Sequence, residues 1–277
     1  MGDNAAVDAI SLRLREICPT LFKNEDAIGS KVAELLGKAK NTTDNFEKTS
    51  LLKESLTLCE KICGHGRVNV RTFCKQYAEL GFPSGAVRLC ISTAKACDPD
   101  DVAVTAMKGS GPTSDPAMIQ MIQTRADVYK VVIEILDGYV TLASSKQSPL
   151  SSKAVPGGEN RPTPDAAQNL ANETINAIIN SDDEMFHMVL YDWLLERKLF
   201  DKLLEIKHSF LDGYLQRAAE SVVSGKWSGS VAIPASDTRM LDLLWRHHEL
   251  NQNHGAAAHI LSKLADSTTY VDILNLN

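Results

Sequence analysis

The residues most able to bind a metal ion are three cysteines and a histidine in the first third of the chain. Cys59 and Cys63 are four residues apart, so both thiols would lie on one helix face. His65 and Cys74 follow a short distance later. Structural zinc sites, however, usually take their ligands from cysteine pairs two residues apart. These thiols also fall where an apolar helix stripe needs small side chains, so we interpret them as buried thiols, with zinc as the alternative.

A second group with ligand chemistry is the run His-His-Glu at residues 247–249. A zinc-binding pair on a metalloprotease helix has its second histidine four residues after the first, but Gln252 stands at that position. The later histidines, His254 and His259, are interpreted as a loop residue and a helix-face residue. No metal ligand is assigned in this region.

Three aspartates, Asp98, Asp100 and Asp101, resemble the start of a calcium-binding loop. Such a loop requires glycine at its turn position and a bidentate glutamate at its end. Ala103 and Gly109 occupy those two positions. The aspartates are therefore interpreted as a turn and a helix cap.

Other motifs of catalysis are missing from the sequence. There is no G-x-S-x-G run of the kind that serine hydrolases use. Residues 64–66 lack the third glycine of a dinucleotide loop, and residues 225–227 have Trp where a P-loop needs Ser or Thr. The acidic run at residues 182–184 lies at a predicted helix start, where the helix dipole favours negative charge. We predict no catalytic, cofactor-binding or metal-binding residue, no cofactor and no enzymatic activity.

Composition is that of an ordinary globular protein. The 277 residues are 44% hydrophobic and 23% charged, and only 6% are aromatic, which favours helix packing over a β-sandwich. No run approaches the roughly 20 apolar residues that a membrane span requires, and no signal peptide is recognisable, so we expect neither a spanning nor a secreted chain. The net charge of −6 comes without a clustered basic face, which argues against direct nucleic-acid binding.

Apolar residues recur at helical spacing through almost the whole chain. The first stripe consists of Val7, Ile10, Leu14 and Ile17. The capping pair Asp44 and Glu47 precedes a second stripe, formed by Leu52, Leu56, Cys59, Ile62 and Cys63. Asp115 followed by Pro116 predicts the start of a long helix. Its stripe has heptad spacing and consists of Ile119, Ile122, Ala126, Tyr129, Ile133, Leu136 and Val140.

Two further helices are predicted in the second half of the chain. Thr163 followed by Pro164 opens the first of them, and Ser181 with Glu184 forms a capping box for the second. The second helix is apolar over most of its circumference, through Met185, Phe186, Met188, Val189, Leu190, Trp193 and Leu194. Such a helix is expected to be sandwiched between neighbours.

A weak internal repeat links three places in the chain. An aromatic residue near a helix end, a short break and a second helix recur at Tyr77, Trp193 and Trp245. Each place resembles one helical hairpin of the kind that stacks into a solenoid. We therefore predict an all-α fold, an irregular α-solenoid of stacked antiparallel helix pairs with no sheet. The chain begins and ends without polar capping repeats, which indicates a fragment of something longer.

Pro, Ser and Gly divide the chain into segments. Residues 144–164 are predicted to be a disordered linker between one solenoid segment at 1–143 and another at 165–277. A second Gly-rich break at 222–236 is predicted to be a loop insertion. Ser148 and Thr163 each precede proline and are candidates for proline-directed phosphorylation, with an unmodified spacer as the alternative.

Four longer strings of residues carry a resemblance to a known family. They are residues 3–12 with 17–19, residues 190–194 (LYDWL), residues 242–246 (DLLWR) and residues 261–266 (LSKLAD). These strings resemble the family of large non-repetitive scaffold nucleoporins, in which a β-propeller precedes an α-solenoid. The similarity lies in the C-terminal solenoid of that family and covers nearly the whole chain outside the linkers. The insertion at 222–236 and the chain end soon after Asp266 depart from the family pattern, which would fit an incomplete gene product.

The resemblance implies a structural role in the inner ring of the nuclear pore complex, at the nuclear envelope, in support of nucleocytoplasmic transport. The implied partners are other inner-ring nucleoporins and linker nucleoporins. No membrane contact is expected from this fragment, because the family's membrane-binding propeller is missing, and no small-molecule substrate is expected. The alternatives are a cytosolic helical-repeat adaptor or vesicle-coat-like solenoid and, third, a helical enzyme.

Overall fold

The computed structural model describes residues 9–10, 12–14, 16–18, 23–65, 69–108, 115–145, 162–223 and 238–265. Within these ranges every regular element is a helix, and none of the described residues forms a strand. The chain divides into two compact units, Met1–Ala177 and Ile178–Asn277. The predicted all-α class, an irregular α-solenoid of antiparallel helix pairs, is confirmed.

The described helices of the first unit follow one another along the chain, and the last of them crosses the unit limit at Ala177. They are α1 (Asn24–Asn41), α2 (Asn45–Ile62), a 3-10 turn (Cys63–His65), α3 (Val70–Glu79), α4 (Pro83–Cys97), α5 (Val102–Lys108), α6 (Pro116–Ser144) and α7 (Pro164–Ile179). The second unit continues with α8 (Glu184–Glu196), α9 (Phe200–Leu204), α10 (Ser209–Val223), α11 (Arg239–Leu250) and α12 (His254–Ala265).

Neighbouring helices pair along the chain in the first unit. Helix α1 packs on α2, α3 packs on α4, and α5 packs on α6, while α4 also contacts α2 and α6. The predicted stripe of α2 is buried, from Leu52 through Leu56 and Cys59 to Ile62. It faces a stripe of α1 formed by Val32, Leu35, Leu36 and Ala39. Helix pairs that bury one stripe against each other are the units from which a solenoid is built.

The second unit is organised around α8, which packs on α9 and α10. Its buried residues lie on nearly all sides and are Met185, Phe186, His187, Met188, Leu190, Tyr191, Trp193, Leu194 and Leu195. The predicted sandwiching of this helix is therefore confirmed, although Val189 is only half-buried. Helix α11 contacts α9 and α10 and pairs with α12.

The turn between α3 and α4 ends its first helix with two backbone hydrogen bonds. The Phe82 N–H donates to the Tyr77 carbonyl at 2.8 Å. The Gly81 N–H donates to the Ala78 carbonyl at 3.1 Å, and Gly81 has a φ of 76°. This is the Schellman arrangement, in which a left-handed residue lets the chain reverse and satisfies the last carbonyls of the helix.

The same turn recurs twice in the second unit. After α8 the left-handed residue is Lys198 (φ 57°), and the Leu199 N–H donates to the Leu194 carbonyl at 2.9 Å. After α11 it is Gln252 (φ 60°), with the corresponding bond at 2.8 Å. The three places found by sequence recurrence are therefore three helical hairpins closed by one turn type, and that prediction is confirmed.

Three predicted helix starts are confirmed by their caps. The Asp44 carboxylate accepts from the Phe46 N–H at 2.9 Å, and the Asp115 carboxylate accepts from the Ala117 N–H at 2.9 Å. Thr163 accepts from the Ala166 N–H at 3.3 Å. Each capping oxygen satisfies an N–H that has no partner within its helix.

The start of α8 differs from the prediction. Its cap is Asp183, which accepts from the Phe186 N–H at 3.2 Å. Ser181 instead donates its hydroxyl to the Ile178 carbonyl at 2.7 Å. The predicted cap was wrong because the Ser181 hydroxyl is used to end the preceding helix.

The buried face of α6 also differs from the predicted stripe. Ile119 is 51% exposed, and the buried positions step by four and three through Arg125, Tyr129, Val132, Leu136 and Tyr139. Only Tyr129 and Leu136 belong to both sets. The heptad spacing and one row of the stripe, Tyr129 and Leu136, are confirmed. The other row lies one residue earlier than predicted, at Arg125, Val132 and Tyr139, because a stripe drawn from apolar residues alone cannot include an arginine.

Parts of the predicted segment map lie outside the described residues. They include most of the 144–164 linker, with Ser148, and nearly all of the 222–236 insertion. The segment limits 1–143 and 165–277 therefore remain predictions. Thr163 is described and exposed, and its modification also remains a prediction.

Candidate functional site

The candidate zinc cysteines lie in the core of the first unit. Cys59 and Cys74 are fully buried, and Cys63 is nearly so. The Tyr77 hydroxyl donates to the Cys59 Sγ at 3.7 Å and lies 3.0 Å from the hydroxyl of Ser55. Burial raises the pKa of the Cys59 thiol to about 11, so the neutral thiol is the stable form. The interpretation of these residues as buried thiols is confirmed.

The described ranges contain no cluster of side chains that would support a metal site. No three His, Cys, Asp or Glu side chains of the described residues lie together in a way that could hold an ion. His254 and His259 are exposed on α12, and His254 is its first helical residue rather than a loop residue.

The aspartates of the apparent calcium loop form a helix cap, as predicted. Asp98 is 1% exposed, and its two carboxylate oxygens accept from the N–H groups of Val102 and Ala103 at 2.8 and 3.0 Å. Asp101 has a φ of 52° and lies in the turn before α5. Asp100 is exposed and makes no cap.

A buried arginine completes this cap, and the sequence did not reveal it. Arg125 of α6 is 1% exposed. Its Nη1 donates to Asp98 at 2.9 Å and to Asp101 at 2.7 Å, and its Nε donates to the Tyr129 hydroxyl at 3.0 Å. A buried guanidinium needs carboxylate and hydroxyl acceptors of this kind to offset its lost hydration. The contacts of Arg125 with Asp98 and Asp101 fasten α6 to the turn before α5.

The protonation of Asp98 follows from these contacts. Burial by itself would raise its pKa, but hydrogen bonds from the Ala103 N–H, the Arg125 guanidinium and the Val102 N–H lower the pKa below its ordinary value. The carboxylate is therefore charged at neutral pH and holds the guanidinium. The cluster is interpreted as structural, because the contacts of Asp98 and Arg125 are with other groups of the fold.

The core of the second unit contains a buried histidine. His187 is fully buried, and its Nε2–H donates to the Ser181 carbonyl at 2.9 Å, so Nδ1 accepts from the Tyr191 hydroxyl at 3.0 Å. The rings of His208 and Phe210 pack against it at centroid distances of 4.3 and 5.2 Å. Burial lowers the pKa of His187, which favours the neutral ring.

A half-buried carboxyl, Asp192, lies a little over one helical turn further along α8. The Tyr214 hydroxyl of α10 donates to Asp192 at 2.6 Å. Burial raises the pKa of Asp192 to about 6, and the hydrogen bond from Tyr214 opposes this shift. The rings of Tyr191 and Tyr214 lie 5.2 Å apart. These contacts fasten α8 to α10.

The histidines of the 247–249 run face α10. His247 Nε2 and His248 Nδ1 lie 3.9 and 3.6 Å from one carboxylate oxygen of Asp212. Asn251 is within hydrogen-bonding distance of the His247 ring at 3.2 Å. The two imidazoles are nearly buried between helices, so this run contributes to packing.

The described surface includes exposed apolar side chains and no membrane span. The exposed apolar residues are Ile10, Leu12, Leu14, Ile17, Phe46, Met107, Met118, Ile119, Leu250 and Leu261. None of the described helices is both long and apolar enough to cross a bilayer. Several of the exposed residues sit on helix faces, where they are available for contacts between proteins.

Stacked helix hairpins fastened by buried polar contacts describe the fold, and comparison with known proteins identifies the family. All of residues 1–277 match the family described as non-repetitive/WGA-negative nucleoporin C-terminal. The chain belongs to this family. The nucleoporin resemblance noted in the sequence is thereby confirmed at family level.

Related sequences carry nucleoporin names. The chain of this nucleoporin family member is 30% identical over 269 residues to the nuclear pore complex protein Nup154 of Drosophila melanogaster, covering 96% of the chain and 19% of Nup154. It is 26% identical over 275 residues to nucleoporin NUP170 of Chaetomium thermophilum, covering 99% of the chain and 18% of NUP170. The chain therefore spans less than a fifth of the length of these relatives.

Solved nucleoporin structures share the fold. The Nup170 solenoid of Chaetomium thermophilum matches 96% of the chain and 31% of that structure, with a TM-score of 0.71 and 25% identity. A complex of the Nup170 C-terminal domain with Nup145N matches 88% of the chain and 41% of that structure, with a TM-score of 0.62 and 26% identity. Both are similar to this nucleoporin segment along most of its length.

Proposed function

We propose that this chain is a structural segment of the nuclear pore complex scaffold and supports nucleocytoplasmic transport by docking to other nucleoporins. The observation that carries the proposal is the family match, which extends over residues 1–277. The nuclear pore complex protein Nup154, 30% identical, supports a location at the nuclear envelope. The role is mechanical, and no enzymatic activity is part of it.

The proposed partners are inner-ring and linker nucleoporins. The similar Nup170 C-terminal domain has been solved together with Nup145N, which supports nucleoporin binding by this part of the family. Grooves between stacked helix pairs accept amphipathic helices or extended segments through apolar anchors. Direct contact with nucleic acid, membrane or a small-molecule substrate is not part of the proposal.

Affinity capture tests this proposal. The tagged chain is incubated with nuclear extract, and the captured proteins are identified by mass spectrometry against a capture with the tag alone. Enrichment of nucleoporins is expected. Recovery of vesicle-coat or adaptor subunits without nucleoporins would instead support a cytosolic adaptor and overturn the proposal.

A further inference from the structure

Two thiols are in contact inside the first unit. Cys74 Sγ of α3 lies 3.6 Å from Cys90 Sγ of α4, and both side chains are fully buried. Cys74 also reaches the Ala86 carbonyl at 3.6 Å, and Cys90 reaches the Val128 carbonyl at 3.4 Å. A disulfide requires the sulfurs to approach by roughly a further 1.5 Å. Small side-chain rotations on two adjacent helices can supply such a movement.

The helix that carries Cys74 is short and buries few side chains, and its polar contacts with α6 include the Tyr139 hydroxyl on the Ala78 carbonyl and the Arg71–Glu134 ion pair. Helix α3 has 10 residues, and Cys74 and Tyr77 are its only buried ones. Segments with few buried apolar contacts open locally at the smallest cost in free energy. Local opening of α3, with the rest of the unit folded, would expose Cys74 to solutes.

We propose that Cys74 and Cys90 form a disulfide when a peroxide reaches them, and that this bond fastens α3 to α4. Because the sulfurs are already neighbours, closing of α3 after the first oxidation step returns Cys74 to its resolving partner. The oxidised hairpin can no longer open at α3. This inference concerns regulation of one hairpin and does not depend on the proposed function.

The chemistry balances with hydrogen peroxide as the oxidant. The deprotonated Cys74 sulfur attacks one peroxide oxygen, the O–O bond breaks, and hydroxide leaves and takes up the thiol proton to become water. Cys74 is then a sulfenic acid. The Cys90 sulfur attacks the Cys74 sulfur, the S–S bond forms, the S–O bond breaks, and a second water leaves with the Cys90 proton. Two thiols are oxidised and one peroxide is reduced to two waters.

The surroundings of Cys90 fit the resolving role. Contact with Cys74 and burial raise the pKa of Cys90 well above the ordinary value for a thiol. Cys90 therefore stays protonated in the closed structure while Cys74 meets the oxidant during opening. The order of attack follows from which helix opens.

Peptide mapping after oxidation tests the proposal. The full chain is treated with hydrogen peroxide under native conditions, alkylated, digested without reductant and analysed by mass spectrometry. We expect a peptide pair joined through Cys74 and Cys90 that has lost about 2 Da, the two thiol hydrogens. The link should disappear in Cys74→Ser and Cys90→Ser and persist in the control Cys97→Ser, which removes an exposed thiol.

Hydrogen exchange of the unsubstituted protein provides a second readout. Amides of α3 should exchange more slowly after peroxide treatment than before it, and dithiothreitol should restore the original rate. Links that join other cysteines would overturn the proposal. So would full alkylation of Cys74 and Cys90 after peroxide treatment and denaturation, or unchanged exchange in a protein that carries the link.

Discussion

At the scale of single residues, buried polar side chains hold the helices together through specific partners. Arg125 joins Asp98, Asp101 and Tyr129 within the first unit, and His187 joins Ser181 to Tyr191 in the second. Such groups stabilise a fold only while each partner is present, because an unpaired buried charge retains its full cost of desolvation.

Removing the buried guanidinium should therefore destabilise the first unit. Arg125→Ala leaves the Asp98 carboxylate buried without its cation, and we expect the free energy of unfolding to fall by about 3 kcal/mol or more. The matched control is Arg88→Ala, because Arg88 pairs with Glu60 at 2.9 Å but its side chain is 65% exposed. This exposed pair should contribute less than about 1 kcal/mol. Urea denaturation followed by circular dichroism measures both, and equal losses would contradict the assignment.

The stability of the second unit should depend on pH through His187. Its folded pKa lies below the ordinary 6.5, so the unfolded chain binds the proton more tightly. The stabilisation is complete above pH 6.5 and is lost as the pH falls below it. We expect His187→Gln to lose less stability than the unsubstituted protein between pH 6.5 and 5. Part of the pH dependence of stability should remain in this variant, because burial also lowers the pKa of His247.

Asp192 should change the stability of the second unit with pH in the opposite direction to His187. Its folded pKa of about 6 lies above the ordinary 3.8, so between these values the folded protein binds the proton more tightly. Stability from this group grows as the pH falls through 6. Asp192→Asn should therefore make the loss below pH 6 steeper. Denaturant titrations at several pH values test both variants, and parallel curves for all three proteins would rule out these roles.

At the scale of elements, one turn type closes three hairpins with three different residues. Gly81, Lys198 and Gln252 all take a left-handed conformation, which disfavours side chains with a Cβ atom. The left-handed conformation is therefore less strained at Gly81 than at Lys198 or Gln252.

Substitutions that remove or introduce a glycine test this backbone effect separately from side-chain packing. Apart from the adjoining residues of the chain, no atom lies within 4 Å of a Cβ placed on Gly81, so Gly81→Ala tests the conformation alone and should cost about 1 kcal/mol. Lys198→Gly should stabilise by up to about 1 kcal/mol for the same reason. The control Gly138→Ala lies inside α6, also with no atom within 4 Å, and should stabilise by about 0.5 to 1 kcal/mol. A stabilising Gly81→Ala would contradict the assigned role of the turn.

Most elements could be predicted from local sequence, and the failures have a common cause. The caps at Asp44 and Asp115 and the stripe of α2 depend on neighbours in the chain, so spacing identified them. The burial of Arg125 was not predicted, because its partners Asp98 and Asp101 are distant in sequence and a charged residue is normally expected on the surface. One row of the α6 stripe was predicted one residue too late for the same reason, since Arg125 belongs to that row.

At the scale of the whole molecule, the composition, the helical hairpins and the family match agree on a structural nucleoporin segment. Each unit buries its helices against neighbours, and the described polar clusters are occupied by contacts within the fold. The proposed docking role would depend on intact helix pairs. Loss of stability in either unit should therefore weaken assembly.

Nuclear-rim localisation is the most direct test of the central claim. The chain is fused to a fluorescent protein and expressed in cells, and the ratio of rim to cytoplasmic signal is measured at pores marked by a second nucleoporin. We predict enrichment at the marked pores for the unsubstituted chain and for Arg88→Ala, and reduced enrichment for Arg125→Ala. A diffuse signal from the unsubstituted, folded chain, or its accumulation on cytoplasmic vesicles, would contradict a role in the pore scaffold.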